Sequence, residues 1–87
     1  MKLKSEEIEI NGTKFTVSEL PVKVILPLVN KMGEDSGEGQ FELLGEAVSI
    51  GGKKLGAEAG ELGAGTFMPL IKVVMRLNGM NDLGNGS

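Results

Sequence analysis

Three stretches of the chain carry residue types that could do chemistry, and each fails on spacing. Residues 49–56, SIGGKKLG, set glycines beside lysines as a phosphate cradle would. A phosphate loop of the Walker type needs a glycine five positions before its Gly-Lys pair and Ser or Thr after the lysine. With Gly52-Lys53 as that pair, those positions hold Ala47 and Lys54, so a glycine helix stop followed by solvated lysines is the better reading. Counted from Glu34, the acidic stretch places Ser36 and Glu38 at alternating calcium-ligand positions and Gly39 at the sharp turn. The twelfth position, where a bidentate glutamate closes the cage, is Gly45. Paired carboxylates at Glu6-Glu7 and Glu34-Asp35 could share acid/base work. Nothing in the sequence gives them a burying pocket or a catalytic partner, and exposed acids of this kind are ordinarily solvated. Histidine and cysteine are both absent, which removes imidazole and thiolate as metal ligands, nucleophiles or near-neutral bases. The expectation is a protein that is not an enzyme and takes no cofactor and no metal.

Apolar side chains offer more than charged ones. Phe67, Leu70, Ile71, Val74 and Leu77 recur at i, i+3, i+4 and i+7, and Met68 and Met75 widen that stripe on one side. Methionine is flexible and polarisable, so such a face adapts to varied partners. Phe67, Met68, Ile71, Val74 and Met75 are therefore the candidate partner-binding patch; the competing reading is that methionine fills a core poor in aromatics. The run Glu34, Asp35, Glu38, Glu42, Glu46 could steer a basic partner or be a solvated helix face.

These residues need elements to hold them. Residues 6–17 alternate apolar and polar side chains around Asn11-Gly12, a pair that tolerates the positive φ angles of a type I′ turn. The reading is a hairpin in which Ile8 faces Phe15 and Ile10 faces Thr13, packed on something else because a lone hairpin is marginal. Helical spacing of Val24, Ile25, Leu28, Val29 and Met32 predicts a first helix over about 20–32, with Pro27 kinking it or marking where its regular part begins. Residues 33–39, GEDSGEG, read as a polar loop. Phe41, Leu44, Ala47 and Val48 predict a second helix over about 40–50, stopped by Gly51-Gly52. Six glycines in 51–65 predict a mobile connection with one short helical turn around Ala57 to Leu62. A third helix is predicted over about 66–78, capped by Thr66 and ended by Asn78-Gly79, before a flexible tail over 80–87.

Length and composition set the bounds. Eighty-seven residues make one domain, 1–79 by this reading, with one modest core. Nine basic against twelve acidic residues give a net charge of −3, and tyrosine and tryptophan are missing, which argues against a nucleic-acid backbone binder with stacking aromatics. Fourteen glycines and a mean hydropathy of +0.04 predict substantial loops around that core. VILPLV and FMPLIKVVM are far shorter than the ~20 residues of a membrane-spanning helix. The N-terminal MKLKSEEIEI lacks the apolar run of a signal peptide.

The order of these pieces resembles the tail assembly chaperones of long-tailed bacteriophages and prophages. The resemblance rests on Ile8 to Pro21, IEINGTKFTVSELP, and on Thr66 to Gly79, TFMPLIKVVMRLNG. It implies a non-enzymatic protein of the bacterial cytoplasm that coats the hydrophobic, helical tape measure protein before tail-tube subunits polymerise around it. It further implies self-association, and an extended form that recruits the tail-tube protein. Pro27 within the first helix and the glycine-rich stretch before the third depart from the family layout.

The expectation is thus an α+β fold, an N-terminal hairpin on about three helices, serving as an assembly chaperone without nucleic-acid or membrane binding. Two other classes fit the same residues: a structural virion component such as a tail terminator or head–tail connector, and a small regulator of a host protein.

Overall fold

A computed structural model describes residues 3–80 of the chain. It is α+β, opening with the expected hairpin. Strands β1 (Ser5–Ile10) and β2 (Thr13–Ser18) pair antiparallel with Ile8 opposite Phe15 and Ile10 opposite Thr13. Asn11 (φ 51°) and Gly12 (φ 84°) both take the left-handed backbone that a type I′ turn requires. Alternation then sends Phe15 and Val17 into the core from one face of β2.

Helix α1 (Val22–Glu34) follows Pro21, whose carbonyl accepts from the N–H groups of Val24 (2.9 Å) and Ile25 (3.0 Å). Pro27 sits inside it and can donate nothing to the carbonyl of Lys23, yet the helix continues for two more turns. The loop expected at 33–39 is not there. Asp35 alone separates α1 from helix α2 (Ser36–Ala47), ending one and capping the other: its N–H donates to the Lys31 carbonyl (2.7 Å), and its Oδ1 accepts from the Glu38 N–H (3.1 Å). The glycines that suggested a loop serve packing instead. A Cβ on Gly39 would lie 2.8 Å from the Met32 Cα, so glycine lets α2 cross α1 closely.

The second predicted helix ends early. Val48–Ile50 is strand β3, which pairs with β2 (Val17 opposite Val48) and, through a Gly51-Gly52 turn at φ 60° and 85°, with the short β4 (Lys53–Lys54). Val48 and Ile50 are β-branched and flank Ser49, so this tripeptide satisfies the strand period as well as the helical one; the open edge of β2 decides between them. The antiparallel sheet therefore has four strands in the order β1-β2-β3-β4. The supposed mobile connection continues as a 3-10 helix, Gly56–Glu61, which buries Leu55 at its cap and Ala59 within it.

Helix α3 (Ala64–Leu77) begins two residues before the predicted cap Thr66, with Gly63 as its N-cap. It closes as expected at Asn78-Gly79. Gly79 (φ 71°) donates to the Arg76 carbonyl (3.2 Å) and Met80 to the Met75 carbonyl (2.7 Å), the two bonds of a Schellman motif. Met80, expected in a tail, is buried against the core; residues 81–87 of that tail lie outside the described residues. Asn78 also ties the end of α3 to the segment between β2 and α1. Its Oδ1 accepts from the Leu20 N–H and its Nδ2 donates to the Val74 carbonyl, both at 2.8 Å.

Val17, Leu43, Leu44, Val48, Leu70 and Val74 are the largest fully buried side chains, so β2, β3, α2 and α3 share one core. Helix α1 contributes none: Ile25, Leu28, Val29 and Met32 pack against that core only in part.

Candidate functional site

Helix α3 turns the candidate patch inward. Phe67, Ile71 and Val74 are buried, Val74 completely, and cannot face a partner while the domain is folded. That overturns their assignment to a surface. Met75 is half-buried, and Met68 alone of the five stands out, 52% exposed. Four buried positions on α3, Phe67, Leu70, Ile71 and Val74, are the arc a helix needs to seal a small core.

Among the described residues, three of the six exposed large apolar side chains lie on α1 and α2, the others being Leu3, Ile50 and Met68. Val22 is 67% exposed, Leu26 55% and Phe41 45%. Phe41 stays outside the core stripe because Leu43, Leu44 and Ala47 occupy the inward arc of α2; its ring packs edge-on against Phe67, with centroids 5.4 Å apart at 77°. Between α1 and the pair formed by α2 and the 3-10 helix lies an open groove of about 610 Å³. Val24, Pro27 and Leu28 form one wall. Phe41 stands on the other, and Gly45, Gly56, Ala57 and Gly60 make a floor of small residues. The floor is low by necessity. A Cβ on Gly45 would lie 3.0 Å from the Gly56 carbonyl carbon, so the 3-10 helix rests directly on the α2 backbone.

The rim is acidic. Glu38, Glu42 and Glu46 recur at i, i+4 and i+8 along α2, and Glu42 and Glu46 line the groove. Lys31 from α1 pairs with Glu42 and with Glu38 (3.3 Å), and Lys54 from β4 pairs with Glu46 (3.1 Å). The Lys31 ammonium is held above the ordinary lysine range, chiefly by its hydrogen bond to Glu42; desolvation opposes this, and the bond to Glu38 adds to it. Both lysines are solvent-exposed, so these pairs orient side chains more than they stabilise the fold.

The other chemistry-bearing stretches are placed by the fold as structural parts. Gly51-Gly52 of SIGGKKLG is a hairpin turn, and the residues after it are a strand, not a helix that could offer N–H groups to a phosphate. The stretch a calcium loop would occupy is helical, with Asp35 engaged as a cap. Glu6 and Glu7, adjacent on β1, point to opposite faces, and Glu6 accepts two hydrogen bonds from Arg76 of α3 (2.8 and 2.9 Å). Val24 and Leu28 belong to the stripe that the sequence predicts for the first helix, and their spacing carries no sign that they line a groove with Pro27. Compared with family models, curated proteins and solved structures, the chain matches none.

Proposed function

We propose that this protein is a non-enzymatic tail assembly chaperone of a long-tailed phage or prophage. It shields the hydrophobic helical tape measure protein in the bacterial cytoplasm until tail-tube subunits enclose it, working as several self-associating copies. The resemblance of Ile8–Pro21 and Thr66–Gly79 supplies the family, and one observation carries the mechanism. Helix α1 buries no side chain completely and borders an open apolar groove, which is how a small domain keeps apolar surface available to a client.

Co-production with a tape measure protein tests this. The expected result is that the client remains in the soluble fraction with this protein bound and aggregates without it, while purified mature particles lack the chaperone. A client whose solubility is indifferent to the protein, or its retention in mature particles, overturns the reading.

A further inference from the structure

We propose that the groove between α1 and α2 receives an amphipathic helix whose apolar face is bordered by lysine or arginine. The inference rests on the chaperone reading for the helical character of the client; the groove supplies the rest. Its walls are helical elements whose backbone groups are already paired, so they offer an extended peptide no strand edge to pair with. A helix pairs its backbone internally and brings side chains alone. About 610 Å³ accommodates a few such side chains, and the exposed Gly56, Ala57 and Gly60 of the 3-10 helix let a backbone approach closely. Phe41 is the fixed aromatic on the far wall.

Charge selects the partner. Helix α2 and the 3-10 helix together carry Glu38, Glu42, Glu46, Glu58 and Glu61 and no cation. Lys31 and Lys54 answer only part of this, and a carboxylate has about four lone-pair sites, so one lysine leaves Glu42 and Glu46 with acceptor capacity. A second copy presenting its own groove would set carboxylates against carboxylates.

The chain lacks tryptophan and tyrosine, so a single tryptophan in a peptide reports binding without background. Three peptides of about 18 residues serve, enough for five turns: a leucine-faced helix bordered by lysines, the same helix bordered by glutamates, and a scrambled lysine peptide. The lysine-bordered helix is expected to bind at least about tenfold tighter than the others, and to weaken as salt rises from about 0.05 to 0.5 M. Ala57→Phe, which fills the groove at an exposed position, should reduce that binding by about tenfold or more, and Glu42→Gln with Glu46→Gln should flatten the salt dependence. Circular dichroism melts confirm that each variant is folded. Equal binding of lysine- and glutamate-bordered helices, or undiminished binding by folded Ala57→Phe, overturns the proposal. So does dimerisation of the protein alone that Ala57→Phe abolishes, which would assign the groove to a second copy. Equal capture of the tape measure protein by wild type and Ala57→Phe would overturn the groove and leave the chaperone reading standing; peptide binding without any tape measure capture would do the reverse.

Discussion

At the scale of single residues, glycine does opposite things a few positions apart in α2. Gly39 meets the Met32 backbone, whereas a Cβ on Gly37 would find only the Asp35 carboxylate oxygen at 3.8 Å. Gly37→Ala should therefore stabilise the protein by about 0.5–1 kcal/mol through helix propensity. Gly39→Ala gains the same propensity but must push α1 aside, and should cost about 1–3 kcal/mol overall. Urea unfolding of the two variants checks the opposite signs. Lys31 gives a pH prediction. Its folded-state pKa lies above the ordinary value of 10.5, so its ion pairs contribute fully below that value and are lost as pH rises through the folded-state pKa. The stability difference between wild type and Lys31→Gln should stay constant from about pH 7 to 9 and shrink only above the lysine range, as read by denaturant titration at each pH.

Among the elements, α1 is set apart by what it does not bury. Helices α2 and α3 supply Leu43, Leu44, Leu70 and Val74 to the core, fully enclosed, while every α1 side chain keeps some access to water. Local opening is cheapest where the least apolar surface is lost. Native-state hydrogen exchange should therefore show α1 amides exchanging faster than those of α2 and α3, at a free energy below that of global unfolding. Protection of α1 equal to α3 would contradict this. If the groove is the client site, bound peptide should slow exchange in α1 more than in α3.

Among the described residues, sheet and helices share a single core, and α3 is tied across it by the Asn78 bond to Leu20 and by the Arg76–Glu6 pair. One core implies one transition. Leu44→Ala, at a site with no exposure, should cost about 2–5 kcal/mol, a large part of the ~5–15 kcal/mol typical of a domain. Far-ultraviolet circular dichroism and exchange protection of β2 and α3 should fall together in that variant. Among the described residues, no helix is long and apolar enough to cross a membrane.

Local rules, written in the sequence, determined the first hairpin with its register, the existence of three helices, and the Asn78-Gly79 stop. Asn-Gly turns, period-two alternation and a helix-ending glycine act over a few residues, so no distant partner is needed to read them. Tertiary structure decided the rest. Val48–Ile50 became a strand because β2 had an unpaired edge, an edge that no window around residue 48 contains. GEDSGEG became helix rather than loop because Gly39 lets two helices touch, a contact between Met32 and a residue seven positions on. The face of α3 that looked adaptable closed over the core, since Phe67, Ile71 and Val74 were needed to cover β2 and α2. Periodicity tells which residues share a face; only packing tells which face is left over, and here it is the one between α1 and α2.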